Sequence, residues 1–198
     1  NDNFHLENSH VLPAMIRKVH LAKCLNEGDW EAVRKDIGLR PVSVVRDGVK
    51  REVDAASTEA DILDVLAHYG ITPEAVTLWG TGKPLREFLW SEEMADASVH
   101  VLLNADFKDT YAPGERDINV GTGKELTIRE VAEKIMAEIG FKGELRWDAS
   151  KPDGTMRKLT DVTKLHRLGW HHTVEIDEGV HRLYEWYLKG ICINHQGH

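Results

Sequence analysis

Apolar residues return every three or four positions at Leu12, Met15, Ile16, Val19 and Ala22, the period of a helix that buries one face. Ser9 is placed to cap this helix, Pro13 falls in its first turn where a proline is tolerated, and Asn26-Glu27-Gly28 should close it. Residues 30–36 read as a second, short helix stopped at Gly38. The period then shortens to that of a strand. Val42, Val44, Val49 and Val53 alternate with polar residues around Asp47-Gly48, which signals a hairpin. Helical spacing resumes over 59–68, closed by Gly70, and the short apolar runs at 76–79, 118–120 and 143–147 read as strands. Ser91 is expected to cap a helix over 91–103 that turns Met94, Ala97, Val101 and Leu102 inward. Thr127-Ile128-Arg129-Glu130 is a capping box, followed at helical spacing by Val131, Ile135 and Ile139. Asp161 can cap a short helix through His166, and Ile176, Val180, Leu183, Tyr184 and Tyr187 line a last one.

Between these elements lie a polar opening loop over 1–10, whose only large apolar side chains are Phe4 and Leu6, and a loop over 104–117 rich in Asp, Gly and Pro. The segment 29–72 carries no recognisable chemistry and is expected to be an insertion at the edge of a region spanning 1–190. A loose tail over 191–198 is expected after it. Neither repeats nor low-complexity segments occur.

Acidic residues outnumber basic ones 33 to 25, for a formal net charge of −8, so the clustered cations needed against a nucleic-acid backbone are missing and that class of partner is excluded. A small anionic ligand in a local basic pocket stays open. No apolar run is long enough to cross a bilayer, and no membrane partner is expected. Cys24 and Cys192 form no CxxC and lie far apart, which fits a reducing, cytoplasmic setting. The chain opens on Asn1-Asp2-Asn3-Phe4 without Met or a secretory signal, as expected of a piece of a longer protein.

The chemistry concentrates in Leu78-Trp79-Gly80-Thr81-Gly82-Lys83-Pro84-Leu85-Arg86-Glu87-Phe88-Leu89-Trp90. Apolar strand, glycine turn, guanidinium and indoles together suit an anionic ligand that bears a ring, and they equally suit a hairpin with core tryptophans. Gly121-Thr122-Gly123 follows a strand and precedes a helix, but Leu126 stands where a dinucleotide fingerprint has its third glycine, so we read a structural turn. The eleven histidines match no zinc spacing. His10 stands at a loop-to-helix junction, where an imidazole can reach a cleft and act as acid or base near neutral pH. The loop Ser150 to Lys158 is rigid and basic, fit either for phosphate or for solvent.

In order along the chain, Asp2-Asn3-Phe4-His5 with Asn8-Ser9-His10-Val11, then Trp79-Gly80-Thr81-Gly82-Lys83-Pro84-Leu85-Arg86-Glu87-Phe88-Leu89, then Ile118-Asn119-Val120-Gly121-Thr122-Gly123, and finally Asp148-Ala149-Ser150-Lys151-Pro152-Asp153-Gly154-Thr155 with Arg157-Lys158-Leu159 resemble the GDP-L-fucose synthases, a family of extended short-chain dehydrogenases/reductases. The resemblance covers nearly everything outside 29–72. It implies an α/β fold in which this chain is the C-terminal, substrate-binding portion and the N-terminal Rossmann domain is absent. It further implies C3 and C5 epimerisation of GDP-4-keto-6-deoxy-D-mannose, followed by reduction at C4 with NADP(H), in an enzyme that is a homodimer when complete. By the same resemblance His10 is the catalytic acid and also touches the cofactor, Arg86 and Lys151 meet the diphosphate, and Val11, Met15, Leu78 and Trp79 wall the GDP pocket.

The departures are equally specific. No lysine follows Tyr69, Tyr111, Tyr184 or Tyr187 by four residues, so the family's Tyr-x-x-x-Lys is missing, as are its glycine-rich fingerprint and catalytic cysteine. Cys24 lies on the helix after His10 and reads as structural. Two other readings remain open here: a different nucleotide-sugar epimerase or dehydratase, and a catalytically silent nucleotide-sugar binding module.

Overall fold

The computed structural model describes residues 2–106, 108 and 117–193. In chain order the elements are helices α1 (Val11–Glu27) and α2 (Trp30–Leu39), strands β1 (Val42–Arg46) and β2 (Val49–Val53), α3 (Glu59–His68), β3 (Ala75–Trp79), β4 (Leu85–Arg86), α4 (Ser91–Asn104), β5 (Leu126–Thr127), α5 (Ile128–Ile139), β6 (Glu144–Asp148), β7 (Arg157–Lys158), α6 (Thr163–Arg167) and α7 (Ile176–Ile193). β1 and β2 form the expected hairpin, with Asp47 and Gly48 both at positive φ, the turn geometry that matches strand twist. β3 and β6 pair in parallel, and β4 lies between antiparallel β5 and parallel β7. The architecture is mixed α/β.

Several boundaries differ from the sequence reading for local physical reasons. His10, not Ser9, is the N-cap of α1, and its side chain makes no capping bond. α2 runs through Gly38 because that glycine is needed for packing: a Cβ there would meet the Ala55 Cβ at 3.1 Å. Trp90 rather than Ser91 precedes α4, again without a side-chain cap. Residues 118–120 form no strand, and Ile118 and Val120 lie half-buried against a small cluster. The expected loop over 104–117 and the end of the tail fall largely outside the described residues, although α7 carries helical backbone on through Ile193.

One large core joins α1, α5 and α7 to β3, and the segment 29–72 is built into it rather than set at an edge. Val33, Ile37, Val42, Val44, Val53, Ile62, Leu66 and Ile71 share that cluster with Ile16, Val19, Ile135 and Tyr187. A buried charge network explains the depth of this union. Arg17 donates through Nε to Asp36 at 2.8 Å and caps the carbonyls of Phe4 and Arg40, while the Tyr187 hydroxyl donates to Asp36 at 2.5 Å. Arg17, Asp36 and Tyr187 are essentially without solvent exposure. Such a pair costs desolvation to bury, and is stable only while every partner is present.

Candidate active-site rim

The site grows from the carboxyl ends of β3 and β6, where Trp79 pairs with Asp148, the end of a parallel pair at which ligands of α/β folds bind. The Gly80 amide continues the ladder to the Asp148 carbonyl at 2.9 Å. The chain then turns on Gly80 and Gly82, both at positive φ. Side chains are excluded at both positions, since a Cβ on Gly80 would strike Asp153 and one on Gly82 the Trp147 indole. Asp153 ties the two loops together by accepting from the Thr81 amide at 2.6 Å and its hydroxyl at 2.8 Å. Those two bonds hold its carboxyl below the usual range.

This rim brings Trp79, Lys151 and Arg86 together. Trp79 is 68% exposed, and the Lys151 ammonium sits 5.5 Å from its ring centroid. Arg86, half-buried in β4, donates to the Leu85 carbonyl at 2.7 Å and lies alongside Gly154 of the Lys151 loop. A planar guanidinium, a point charge and a flat aromatic face on one ledge can hold a diphosphate beside a base.

The other expected ligand residues are elsewhere. Met15 and Leu78 are only 2% and 7% exposed and belong to the core where α1 packs against β3. Successive side chains on a strand point to opposite faces, so Leu78 turns toward the core behind the ledge on which Trp79 is exposed. His10 and Val11 are exposed at the first turn of α1. That turn is fixed by the opening loop, whose Phe4 is buried against Trp186 and Tyr187 and whose His5 Nδ1 accepts from the amides of Glu7 and Asn8.

Glu87 and Asp153 organise the site and were not singled out from sequence; an acid inside a basic stretch is the signal that could have found them. Glu87 accepts from the amides of Thr122 and Gly123, both at 2.6 Å, and of Thr160 at 3.1 Å. Burial pushes its carboxyl up, but the bonds from Thr160, Gly123 and Thr122 outweigh this and hold it below the usual range. The Gly121-Thr122-Gly123 turn is therefore filled from within. Cys24 is buried, and burial followed by the nearby Asp29 pushes its thiol up to about 12, which removes nucleophilic character. Among the described residues no group of His, Cys, Asp and Glu is arranged to hold a metal, and no helix is long and apolar enough to cross a membrane. A groove of ≈ 640 Å³ lies between residues 88–92 and α7.

Residues 30–121 match the model of the NAD dependent epimerase/dehydratase family, a span that takes in most of the segment 29–72. The chain is 40% identical over 192 residues to GDP-L-fucose synthase 1 of Arabidopsis thaliana, covering 97% of this chain and 43% of that protein. To the GDP-L-fucose synthase of Escherichia coli it is 37% identical over 191 residues, covering 96% of this chain and 45% of that protein. Among solved structures, the GDP-mannoheptose C4 reductase of Campylobacter jejuni with NADP bound superposes with a TM-score of 0.80 at 36% identity, over 95% of this chain and 49% of that one. The chain thus spans about half the length of the proteins it matches. Over nearly all of its length the chain is thus similar to part of the GDP-L-fucose synthases, and its residues 30–121 carry the likeness to the NAD dependent epimerase/dehydratase family.

Proposed function

We propose that residues 1–190 form the sugar-nucleotide-binding portion of an NADPH-dependent epimerase/reductase that converts GDP-4-keto-6-deoxy-D-mannose to GDP-L-fucose. The observation that carries this reading is the meeting of an exposed indole, an ammonium and a guanidinium at the carboxyl ends of β3 and β6. Trp79 takes the nucleoside, and Arg86 and Lys151 take the diphosphate. The 4-keto group acidifies the hydrogens on C3 and C5, so a proton donor beside the ring serves the inversion of both centres; His10, exposed at the start of α1, is that acid and a contact of the cofactor. NADPH supplies the hydride for C4. It is held chiefly by a dinucleotide-binding domain outside these residues, because the Gly121-Thr122-Gly123 amides are already taken by Glu87. The complete enzyme is a cytoplasmic homodimer. These 198 residues alone, lacking Tyr-x-x-x-Lys, should not oxidise NADPH with the keto sugar.

The decisive experiment follows solvent deuterium into C3 and C5 of the keto sugar with the enzyme joined to its dinucleotide-binding half. His10→Asn should slow exchange by about a hundredfold or more; unchanged exchange overturns the assignment. A second reading keeps the GDP and the C4 reduction but exchanges the sugar for a heptose, favoured by the likeness to the Campylobacter reductase. Turnover of a GDP-4-ketoheptose in preference to the 6-deoxy sugar would select it.

A further inference from the structure

A proton donor must be held in place, yet His10 is exposed at the head of α1 and its side chain makes no capping bond. Its aim is set by the backbone that enters the helix. That backbone is a tight turn: the Ser9 amide donates to the His5 carbonyl at 3.2 Å, and the Glu7 and Asn8 amides donate to His5 Nδ1 at 3.2 and 3.3 Å. Just upstream, Phe4 anchors the turn in the core at 1% exposure. The Phe4 carbonyl accepts from Arg17 Nη1 at 3.2 Å, and its ring lies 4.8 Å from that of Tyr187 and 5.4 Å from the Arg40 guanidinium. Part of this anchor comes from the segment 29–72. Asp36 on α2 accepts from Arg17 Nε at 2.8 Å, from the Tyr187 hydroxyl at 2.5 Å and from Arg40 Nη1 at 3.4 Å. Arg40, which follows the last turn of α2, accepts at its carbonyl from Arg17 Nη2 at 2.6 Å and lays its guanidinium over both the Phe4 and the Tyr187 rings.

We propose that the segment 29–72 braces the proton donor, with Arg40 and Asp36 as positioning residues that act on His10 through Phe4. This rests on the reading of His10 as the acid. Every link from Asp36 through Arg17 and Phe4 to the His5 turn is buried or hydrogen-bonded, so a shift of Phe4 is passed to His10 rather than absorbed. A misplacement of about 1 Å at a reacting group costs on the order of a hundredfold in rate. The brace gives a role to a segment that carries no chemistry of its own and is nevertheless built into the core. Arg40 is the informative one of the pair. Its side chain is 23% exposed and can lose its charge without stranding another, whereas Asp36 is fully enclosed and pairs with buried Arg17.

Solvent deuterium uptake at C3 and C5 of the keto sugar tests this, with the chain joined to its dinucleotide-binding half, in Arg40→Met, His10→Asn and the double variant. Arg40→Met should slow exchange about tenfold while KM for the sugar nucleotide moves by less than about twofold. Arg40→Lys should recover most of the rate, because a cation returns to the Phe4 ring. In the His10→Asn background, Arg40→Met should cost nothing more, as expected of a residue that works through His10. Phe4→Leu removes the ring and leaves the Asp36 network intact; it should show the same split of kcat from KM, and it decides the matter if Arg40→Met does not fold. Normal exchange in these variants overturns the brace, as does a loss of equal size without His10 or one accounted for by KM. If His10→Asn itself exchanges normally, the acid reading falls and takes the brace with it; if His10→Asn alone is slow, only the brace falls.

Discussion

The large core and the small cluster under α4 hold together by different means. The first gathers apolar side chains from α1, α2, the β1–β2 hairpin, α3, α5 and α7 and locks them with the buried Arg17–Asp36–Tyr187 network. The second consists of Ala97, Leu165 and Trp170 with half-buried Leu89, Val101, Ile118 and Val120, fastened by hydrogen bonds to Glu93, Asp96 and His100. Apolar area scales with stability, whereas single hydrogen bonds contribute little net. The contrast therefore separates a region held by apolar burial from one held largely by hydrogen bonds.

Removing Asp36 should break the contrast most severely. Asp36→Ala leaves Arg17 charged and unpaired in the core, at a cost of about 3–5 kcal/mol in urea unfolding; Asp96→Ala, its counterpart under α4, should cost about 1 kcal/mol. Equal costs would erase the distinction. Acid should next strain the large core through His20, whose imidazole burial lowers from 6.5 to about 4. Because the unfolded chain binds the proton first, stability is full above pH 6.5 and falls by roughly 3 kcal/mol on the way down to about 4. His20→Phe should flatten that slope, and an unchanged slope would assign it to another group. Glu93→Gln should then loosen the small cluster by about 1 kcal/mol. Burial raises the Glu93 carboxyl, but the bonds from Thr173 and Val174 prevail and lower it. Its contribution is thus present above the ordinary carboxylate range and is lost as pH falls through the depressed native value, visible as a smaller acid-induced drop in the variant. Trp79→Ala should have the smallest effect on folding, within about 0.5 kcal/mol, yet it should weaken GDP binding to the complete enzyme about tenfold. Calorimetry and thermal melts on the same variant would show whether rim and core are indeed separable.

Periodicity is a good guide wherever one face of an element is buried. The β1–β2 turn, the capping box at Thr127 and the rows of α5 and α7 are all legible because local chemistry and tertiary packing agree there. It fails for part of α4, where Ala97 and Val101 face the small cluster as expected but Met94 and Leu102 face outward, since a periodic pattern reports amphipathicity without saying which side meets the core. It fails too at Gly38, where a glycine that ordinarily ends a helix is kept for its approach to Ala55. Trp79, Arg86 and Lys151 can be grouped because they sit in two recognisable phrases. Leu78 faces the core while its neighbour Trp79 is exposed, and strand alternation alone separates them. Segment 29–72 looks peripheral because it lacks chemistry; the Asp36 partnership with Arg17 and Tyr187 spans residues too distant in sequence for any local pattern to reveal.

The parallel pairing of β3 with β6 also has a temporal consequence. A parallel pair needs a long crossover, and here the chain must travel from Trp79 to Glu144 before its strands can meet. Closing so long a loop costs entropy before the pairing returns any stabilisation, which makes such pairings slow. α1, α3 and the β1–β2 hairpin can form from near neighbours. The ledge that carries Trp79, Arg86 and Lys151 is therefore expected to assemble late, when folding of the chain is nearly complete.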